Sequence, residues 1–341
     1  MNKSNHLKTG DRVSEFTVPM SLKGKQRFHP SCRQNQARAS QAILLLALAL
    51  MIFACANAGP GTELKQLGNL NPGDMPVQND KSNERYNMQF SDKNLAGITK
   101  YEKVPADEER LIRDMKAILQ EKMSKDYPQG QTRRDAHPKN LACLQAEFIV
   151  DPNIPAEFKV GIFEFPQTCP AWIRISSASG KVQSDKVKDL RGFAIKIMGV
   201  RGERFQTQNE EKETQDFLLL SHPTMPLGTV RLFHDAVYYS IKWHLLVFAS
   251  RLILSGNYDI IDELSKARQN QTSPLDIRYW STTPYLCGAD HVVKYSLVPT
   301  SNLKSTLPPI LTDHYLTENM EKHLAANEAT FDFMIQVQKD P

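Results

Sequence analysis

The chain has 341 residues, 40% of them hydrophobic and 23% charged, which suits one or two folded domains and excludes a largely disordered protein. Eight basic residues but only two acidic ones lie within residues 1–58, so the net charge of +4 leaves about −2 for the rest of the chain. The basic balance therefore belongs to the N-terminal segment and gives no ground for a nucleic-acid-binding function.

Residues 1–58 are predicted to be a secretory signal with a long basic region. A basic segment precedes an uncharged apolar run at 42–54, which is shorter than the roughly 20 residues of a membrane span, and small residues follow at 56–58. We therefore expect cleavage after Ala58 and export to the periplasm or the medium. An uncleaved N-terminal anchor and lipid modification of Cys55 are the alternatives. Met20 is an alternative start, because the region before the basic segment is long for a signal.

A helix is predicted after a flexible leader at 59–100, which is rich in turn-forming residues. Asp107 fits the N-cap position, and Glu108 and Glu109 suit the positive end of the helix dipole. Tyr127 begins the segment that ends this helix. Apolar residues recur between these limits at helical spacing, namely Leu111, Ile112, Met115, Ile118, Leu119 and Met123.

From Ala142 the apolar period changes to two, which predicts strands. Strands are expected at 142–150, 171–176, 192–198, 216–221, 292–298 and 331–338. An apolar helix or helix pair is expected at 230–254. This pattern predicts an α+β domain over 101–341, with an antiparallel sheet or barrel and flanking helices. The last strand ends just before Pro341, so we interpret the domain as incomplete at its C-terminus.

Three side chains on or near two of these strands could carry chemistry, namely His137, Arg174 and Ser176. Alternation along the second strand places Trp172, Arg174 and Ser176 on one face. His137 stands shortly before the first strand, and a histidine titrating near neutral pH can shuttle a proton. Taken singly, these residues are better explained as ordinary surface or core positions than as a functional site.

The segments that contain these residues resemble the haem catalase family, in particular its small bacterial catalase-related branch. The motifs are Arg134-Asp-Ala-His137-Pro-Lys, Trp172-Ile-Arg174-Ile-Ser176, Asp189-Leu-Arg-Gly192-Phe-Ala-Ile-Lys196 and Val293-Lys294-Tyr295. The third motif is the most specific of them. The resemblance extends over about residues 100–341 and implies a catalase-like barrel, here apparently truncated at the C-terminus.

The resemblance also implies a cofactor and roles for individual residues. The cofactor is haem b, with Arg134 and Arg174 binding its propionates. His137 is implied to be the distal acid and base, and Ser176 to bond its other ring nitrogen and set the tautomer. Ser221 or Leu220 stands where the family has a peroxide-binding asparagine, and we retain Ser221 as a catalytic candidate.

Two further family features are not found in the sequence. Thr224-Met225-Pro226 replaces paired phenylalanines that stack on haem in the family. The family's proximal tyrosine, which ligates the iron, has no counterpart, so no metal ligand is assigned.

The sequence therefore predicts a haem protein that decomposes hydrogen peroxide or organic hydroperoxides. One alternative is rearrangement of fatty-acid hydroperoxides, as in the allene oxide synthases. The other is a degenerate barrel that binds haem with little activity. The expected partners are small peroxides, with no nucleic acid, and with a membrane only through the signal or an anchor. The sequence predicts no oligomeric state.

Overall fold

This computed structural model describes residues 15–22, 104–131, 133–200, 213–288 and 291–338. Strands in which buried and exposed residues alternate form an antiparallel, barrel-like sheet. The apolar run at 42–54, Cys55 and the leader at 59–100 lie outside these residues. The strands are β1 (Glu15–Leu22), β2 (Asn140–Val150), β3 (Gln167–Ser177), β4 (Arg191–Met198), β5 (Thr214–Leu220), β6 (Tyr279–Ser281), β7 (Tyr285–Cys287), β8 (His291–Pro299) and β9 (Ala329–Val337).

The strand order is β6-β5-β4-β3-β2-β1-β9-β8-β7, and β6 also pairs with β8. This pairing joins the two sides of the sheet through Tyr279 opposite Leu297 and Trp280 opposite Ser296. The predicted α+β class with a barrel-like sheet is therefore confirmed at that level. The six strands predicted from alternation are all present, with ends displaced by up to four residues.

Strand β1 comes from the segment 1–58, which the sequence predicts to be a secretory signal. Its eight residues all pair with β9, from Glu15 opposite Gln336 to Leu22 opposite Ala329. Met20 and Ser21 also pair with β2 on the other side. Cleavage after Ala58 would remove this strand and leave the facing edges of β2 and β9 unpaired.

The core lies on the inner face of the curled sheet. Alternate residues along each strand are almost fully buried, as in Ile173 and Ile175 of β3. Phe217 and Phe333 meet there with ring centroids 4.9 Å apart, and Phe148 lies 5.3 Å from Phe333. Each such ring contributes about 1.5–3 kcal/mol through burial, so this cluster is a principal source of stability.

Five helices occur in the described residues: α1 (Glu108–Asp126), α2 (Val230–Tyr238), α3 (Leu245–Leu254), α4 (Tyr258–Ala267) and α5 (Tyr315–Ala326). The apolar segment at 230–254 forms a helix pair, because a π-helical turn at 239–243 follows α2 and His244 is extended. His244 Nδ1 then accepts a hydrogen bond from Leu246 N at 3.2 Å and caps α3.

The predicted helix at Asp107 is confirmed, but the role of its side chain is not. Asp107 occupies the N-cap position without bonding the helix N-terminus. Its carboxylate instead accepts from Arg110 at 3.0 Å and from Arg231 of α2 at 2.7 Å. The Asp107 carboxylate thus accepts hydrogen bonds from two arginines instead of from a backbone amide. Its contact with Arg231 joins the start of α1 to α2.

Candidate functional site

His137 and Ser176 are brought together at the outer face of the sheet. The segment after α1 delivers His137, and the end of β3 carries Ser176. The distance from His137 Nδ1 to Ser176 Oγ is 3.0 Å, and Ser176 is buried. The structure therefore places a hydroxyl against one ring nitrogen, in the arrangement that the sequence resemblance implied.

The backbone of His137 is held in an unusual conformation. Its φ of 57° lies in the left-handed region, although it precedes Pro138 and such residues favour extended backbone. This conformation costs on the order of 1–3 kcal/mol and persists only where the surroundings hold it. Arg174 Nη2 donates to His137 O at 2.6 Å, so the predicted propionate ligand also fixes the histidine.

Gly192 provides the space in which the imidazole lies. It stands opposite Ser176 on β3 and opposite Leu220 on β5. A Cβ at this position would be 2.7 Å from both His137 Nδ1 and Cε1, and 3.0 Å from Ser176 Oγ. Only glycine therefore allows this ring position. The Asp189–Lys196 motif contained Gly192, but nothing local in the sequence indicated contact with His137.

The electrostatic environment keeps His137 neutral at neutral pH. Burial is the main cause that lowers its pKa from 6.5 to about 4, and the charges of Arg174 and Arg134 lower it further. Arg134 itself is exposed. The two guanidinium groups thus lie close enough to influence the ring, and they make this outer face attractive to anions.

Ser221 and Leu220 occupy different positions relative to this centre. Leu220 lies in the same row as Ser176 and Gly192. Ser221 follows the strand, and its Oγ accepts from Arg191 N at 2.9 Å. That contact uses a lone pair and leaves the hydroxyl proton able to donate. The residue opposite Gly192 on β5 is therefore apolar, and the nearest hydroxyl on that side belongs to Ser221, one residue farther along the chain.

A buried ion pair supports the segment next to His137. Lys139 Nζ lies 2.6 Å from Asp185 Oδ1, and their side chains are 5% and 0% exposed. Lys139 also donates to Gln183 O at 2.8 Å and Asp313 O at 2.9 Å. These contacts fix the start of β2 two residues after the histidine. Sequence reasoning missed the pair because its members are 46 residues apart.

Arg191 is a second buried charge beneath the site. It is 1% exposed and donates to Ser177 Oγ at 2.6 Å and to Gln271 Oε1 at 3.1 Å. Asp189, also buried, accepts from Ser179 N at 3.0 Å, while burial raises its pKa. The predicted Asp189–Lys196 motif thus supplies structural charges as well as Gly192.

An open cleft of about 920 Å³ lies elsewhere on the protein. Residues of β2, β3 and the end of α5 line it, including Trp172, Glu147 and Leu324, but not His137, Arg174 or Ser176. Trp172 therefore shares a strand face with Arg174 and Ser176 yet belongs to a different recess. The candidate site is defined by hydrogen bonds and backbone strain, and the cleft is separate from it.

Comparisons with known proteins add no assignment to these residues: neither a scan against protein-family models nor a search of curated proteins found a match. Within the described ranges, no group of three or more His, Cys, Asp or Glu side chains could hold a metal ion. None of the helices described there is long and apolar enough to cross a membrane.

Proposed function

We propose that this chain is a catalase-like haem protein that consumes hydrogen peroxide or organic hydroperoxides. The observation that carries the proposal is the contact between His137 and Ser176, with the imidazole over Gly192. Strained backbone, a lowered histidine pKa and a glycine cradle coincide at this one position. Such coincidence is characteristic of functional sites.

One face of a haem fits the residues present. Arg134 and Arg174 would hold the two propionates, since guanidinium groups pair well with carboxylates and both act on the His137 ring. The absent Cβ of Gly192 lets the imidazole lie close to the strand backbone. Bound haem would supply the iron redox chemistry that cleaves a peroxide bond. No residue of this chain is assigned as the iron ligand.

The part that this chain's own residues play is proton transfer. With its pKa near 4, His137 is neutral and can accept a proton at physiological pH. In the tautomer with hydrogen on Nδ1, Ser176 Oγ accepts that hydrogen, and Nε2 is left as the base. Nε2 can then take a proton from one oxygen of a hydroperoxide and return it to the other.

Leu220 favours a second candidate, which is the rearrangement of fatty-acid hydroperoxides. Its side chain offers no hydrogen bond beside Gly192, where an amide would suit hydrogen peroxide. An apolar neighbour instead suits a substrate with an alkyl chain. Product analysis separates the two functions, because peroxide decomposition releases dioxygen and rearrangement yields an epoxide.

Haem titration of the purified full chain tests the proposal. We expect a Soret band that saturates at one haem per chain, and weaker haem binding in the double variant Arg134→Gln with Arg174→Gln. Lys181→Gln, which removes an exposed cation elsewhere, serves as the control and should titrate like the parent. Failure of the parent chain to bind haem would reject the proposal.

A further inference from the structure

The open cleft beside β2 and the end of α5, which we call the β2–α5 cleft, has an acidic lining. Of the described residues that line it, only Glu147 of β2 and Glu328, just after α5, are charged. Gln145 and Asn327 add side-chain amides, and Trp172 contributes an aromatic surface that is 40% exposed. The lining therefore suits a cationic occupant, and the volume of about 920 Å³ is large enough for several side chains.

The end of α5 adds to the negative character of the cleft. Residues 324–326 form the last part of this 12-residue helix, and they line the cleft. The C-terminus of a helix carries a partial negative charge, because its last carbonyl groups have no partner within the helix. The helix dipole and the two carboxylates therefore attract the same kind of ligand.

The cations on the adjoining elements do not belong to the cleft. Lys196 of β4 stands opposite Trp172 on one side and opposite Asp216 of β5 on the other. Arg174, two residues farther along β3, belongs to the candidate site. Lys322 of α5 is exposed and is not among the residues that line the cleft. None of these three cations therefore contributes to the lining.

Strand β1 leads to the margin of this cleft. Ser21 stands opposite Glu147 of β2, which lines the cleft. Leu22 is the last residue of β1, and it stands opposite Ala329, the first residue of β9. Ala329 directly follows a residue of the lining. The chain therefore leaves β1 at the edge of the cleft.

The residues that follow β1 in the sequence are basic. Residues 23–27 lie outside the described residues, and they read Lys-Gly-Lys-Gln-Arg. Both registers of β1, extended to Lys23, reach residues of the lining, namely Gln145 on β2 and Glu328 before β9. Directly opposite residues in an antiparallel pair have Cβ atoms about 4.5–5.5 Å apart, and opposite charges stabilise such a pair.

We propose that the β2–α5 cleft binds the basic segment 23–27 of the same chain as an extension of β1. Lys23 pairs with Glu328, and the backbone of the segment adds to the edge of β2. The basic region of the predicted signal then becomes part of the surface of the folded domain, and cleavage after Ala58 would open the cleft. This inference rests on the register of β1 and the charge of the cleft, and it does not depend on haem binding.

The same segment from a second copy of the chain is the less suitable occupant. Leu22 is already paired with β9, so the next residue of its own chain reaches the cleft without a loop to close. A second copy would have to displace β1 or enter beside it. Association of two chains also costs translational and rotational freedom, which the segment of the same chain does not lose.

Carbodiimide crosslinking of the full chain tests the proposal, because this reagent joins a lysine to a carboxylate that contacts it. The chain is mixed with an equal amount of isotopically labelled chain, so that mass spectrometry separates links within a chain from links between chains. We expect Lys23 to be joined to Glu328 or Glu147 within one chain. Lys8, a lysine of the same basic region that precedes β1, is the matched control and should not form these links.

Limited digestion with trypsin gives the size of the effect. Docking protects the bond after Lys25, and the cleavage rate follows the population of the undocked segment. Glu328→Gln should speed this cleavage about two- to fivefold, the change that one partly exposed ion pair supports. Glu164→Gln, at an exposed glutamate outside the lining, should cleave like the parent. The charge swap Lys23→Glu with Glu328→Lys should restore the protection.

The proposal would be overturned if Lys23 and Lys8 were joined to Glu328 and Glu147 equally often. Links found only between differently labelled chains would also overturn it, because a second copy would then occupy the cleft. Equal cleavage after Lys25 in the parent and in Glu328→Gln would show that the carboxylate does not hold the segment.

Discussion

Two regions of the molecule contain similar apolar residues but bury them to different extents. They are the strands β3–β5, which we call the wall, and the helices α2–α4, which we call the arm. In the wall, alternation buries one side of each strand, so Ile173, Ile175 and Leu219 are at most 2% exposed. In the arm, α2 has no buried residue, and α3 has two, Phe248 and Leu252. A wall packed this closely can hold the strained His137, whereas the arm leaves large apolar side chains exposed.

The largest expected effect comes from breaking the buried support of the wall. Lys139→Met leaves Asp185 buried without its cation, and removing one partner of such a pair costs about 3–5 kcal/mol. Urea unfolding measures the loss. Lys181→Met, at an exposed lysine, should change stability by less than about 0.5 kcal/mol. Equal stability of the two variants would show that the ion pair does not support the wall.

Acid should weaken the wall through His137. Its pKa is about 4 in the folded state against 6.5 ordinarily, so only the unfolded chain gains a proton between these values. The stability contributed by the neutral ring is complete above pH 6.5 and is lost as the pH falls to 4. At 1.36 kcal/mol per unit, the loss is at most about 3 kcal/mol.

Urea unfolding at pH 7 and pH 4.5 checks this expectation. His137→Gln should remove this part of the pH dependence, because glutamine does not titrate. An unchanged pH dependence in that variant would contradict the assignment.

Gly192→Ala should disturb the site more than the fold. The new methyl group would lie 2.7 Å from the His137 ring, and overpacking of this kind costs about 1–3 kcal/mol. The histidine must then move away from Ser176. We therefore expect the proposed haem-dependent turnover to be lost even under conditions in which the variant stays folded. Gly228→Ala, whose Cβ would meet Met225 O at 3.3 Å, is the milder control. Turnover in Gly192→Ala equal to that of the parent would argue against the close approach of the His137 ring to Gly192.

The smallest effect is expected in the arm. Leu254→Ser removes a side chain that is 87% exposed, so the free energy of unfolding should change by less than about 0.5 kcal/mol. Leu219→Ala, at a residue 2% exposed in the wall, should cost about 2–5 kcal/mol. Urea unfolding of both variants compares the regions directly. A loss in Leu254→Ser as large as in Leu219→Ala would contradict the distinction between wall and arm.

Elements with a sustained period were predictable from the sequence, and the others were not. β2 follows from the alternation of Ala142 to Val150, and α1 from its helical spacing. β6 and β7 have three residues each, too few to show a period. β1 lies in a segment whose basic surroundings indicate a signal, and only its long-range pairing with β9 defines it as a strand.

The site was predictable only where a motif joined distant residues. His137 and Ser176 are 39 positions apart in the sequence. Their contact was predicted only because the segments that contain them resemble a known family. The left-handed backbone of His137 and the clearance over Gly192 depend on how three segments meet. No local pattern encodes such a meeting, since it follows from tertiary packing alone.

The rate of hydroperoxide consumption by His137→Ala, at haem occupancy equal to that of the parent chain, tests the central claim most directly. We predict a rate about 100-fold to 10,000-fold below the parent, the usual contribution of a general acid–base group. His314→Ala, at an exposed histidine, should retain the parent rate. Equal rates in the parent and in His137→Ala would contradict the account.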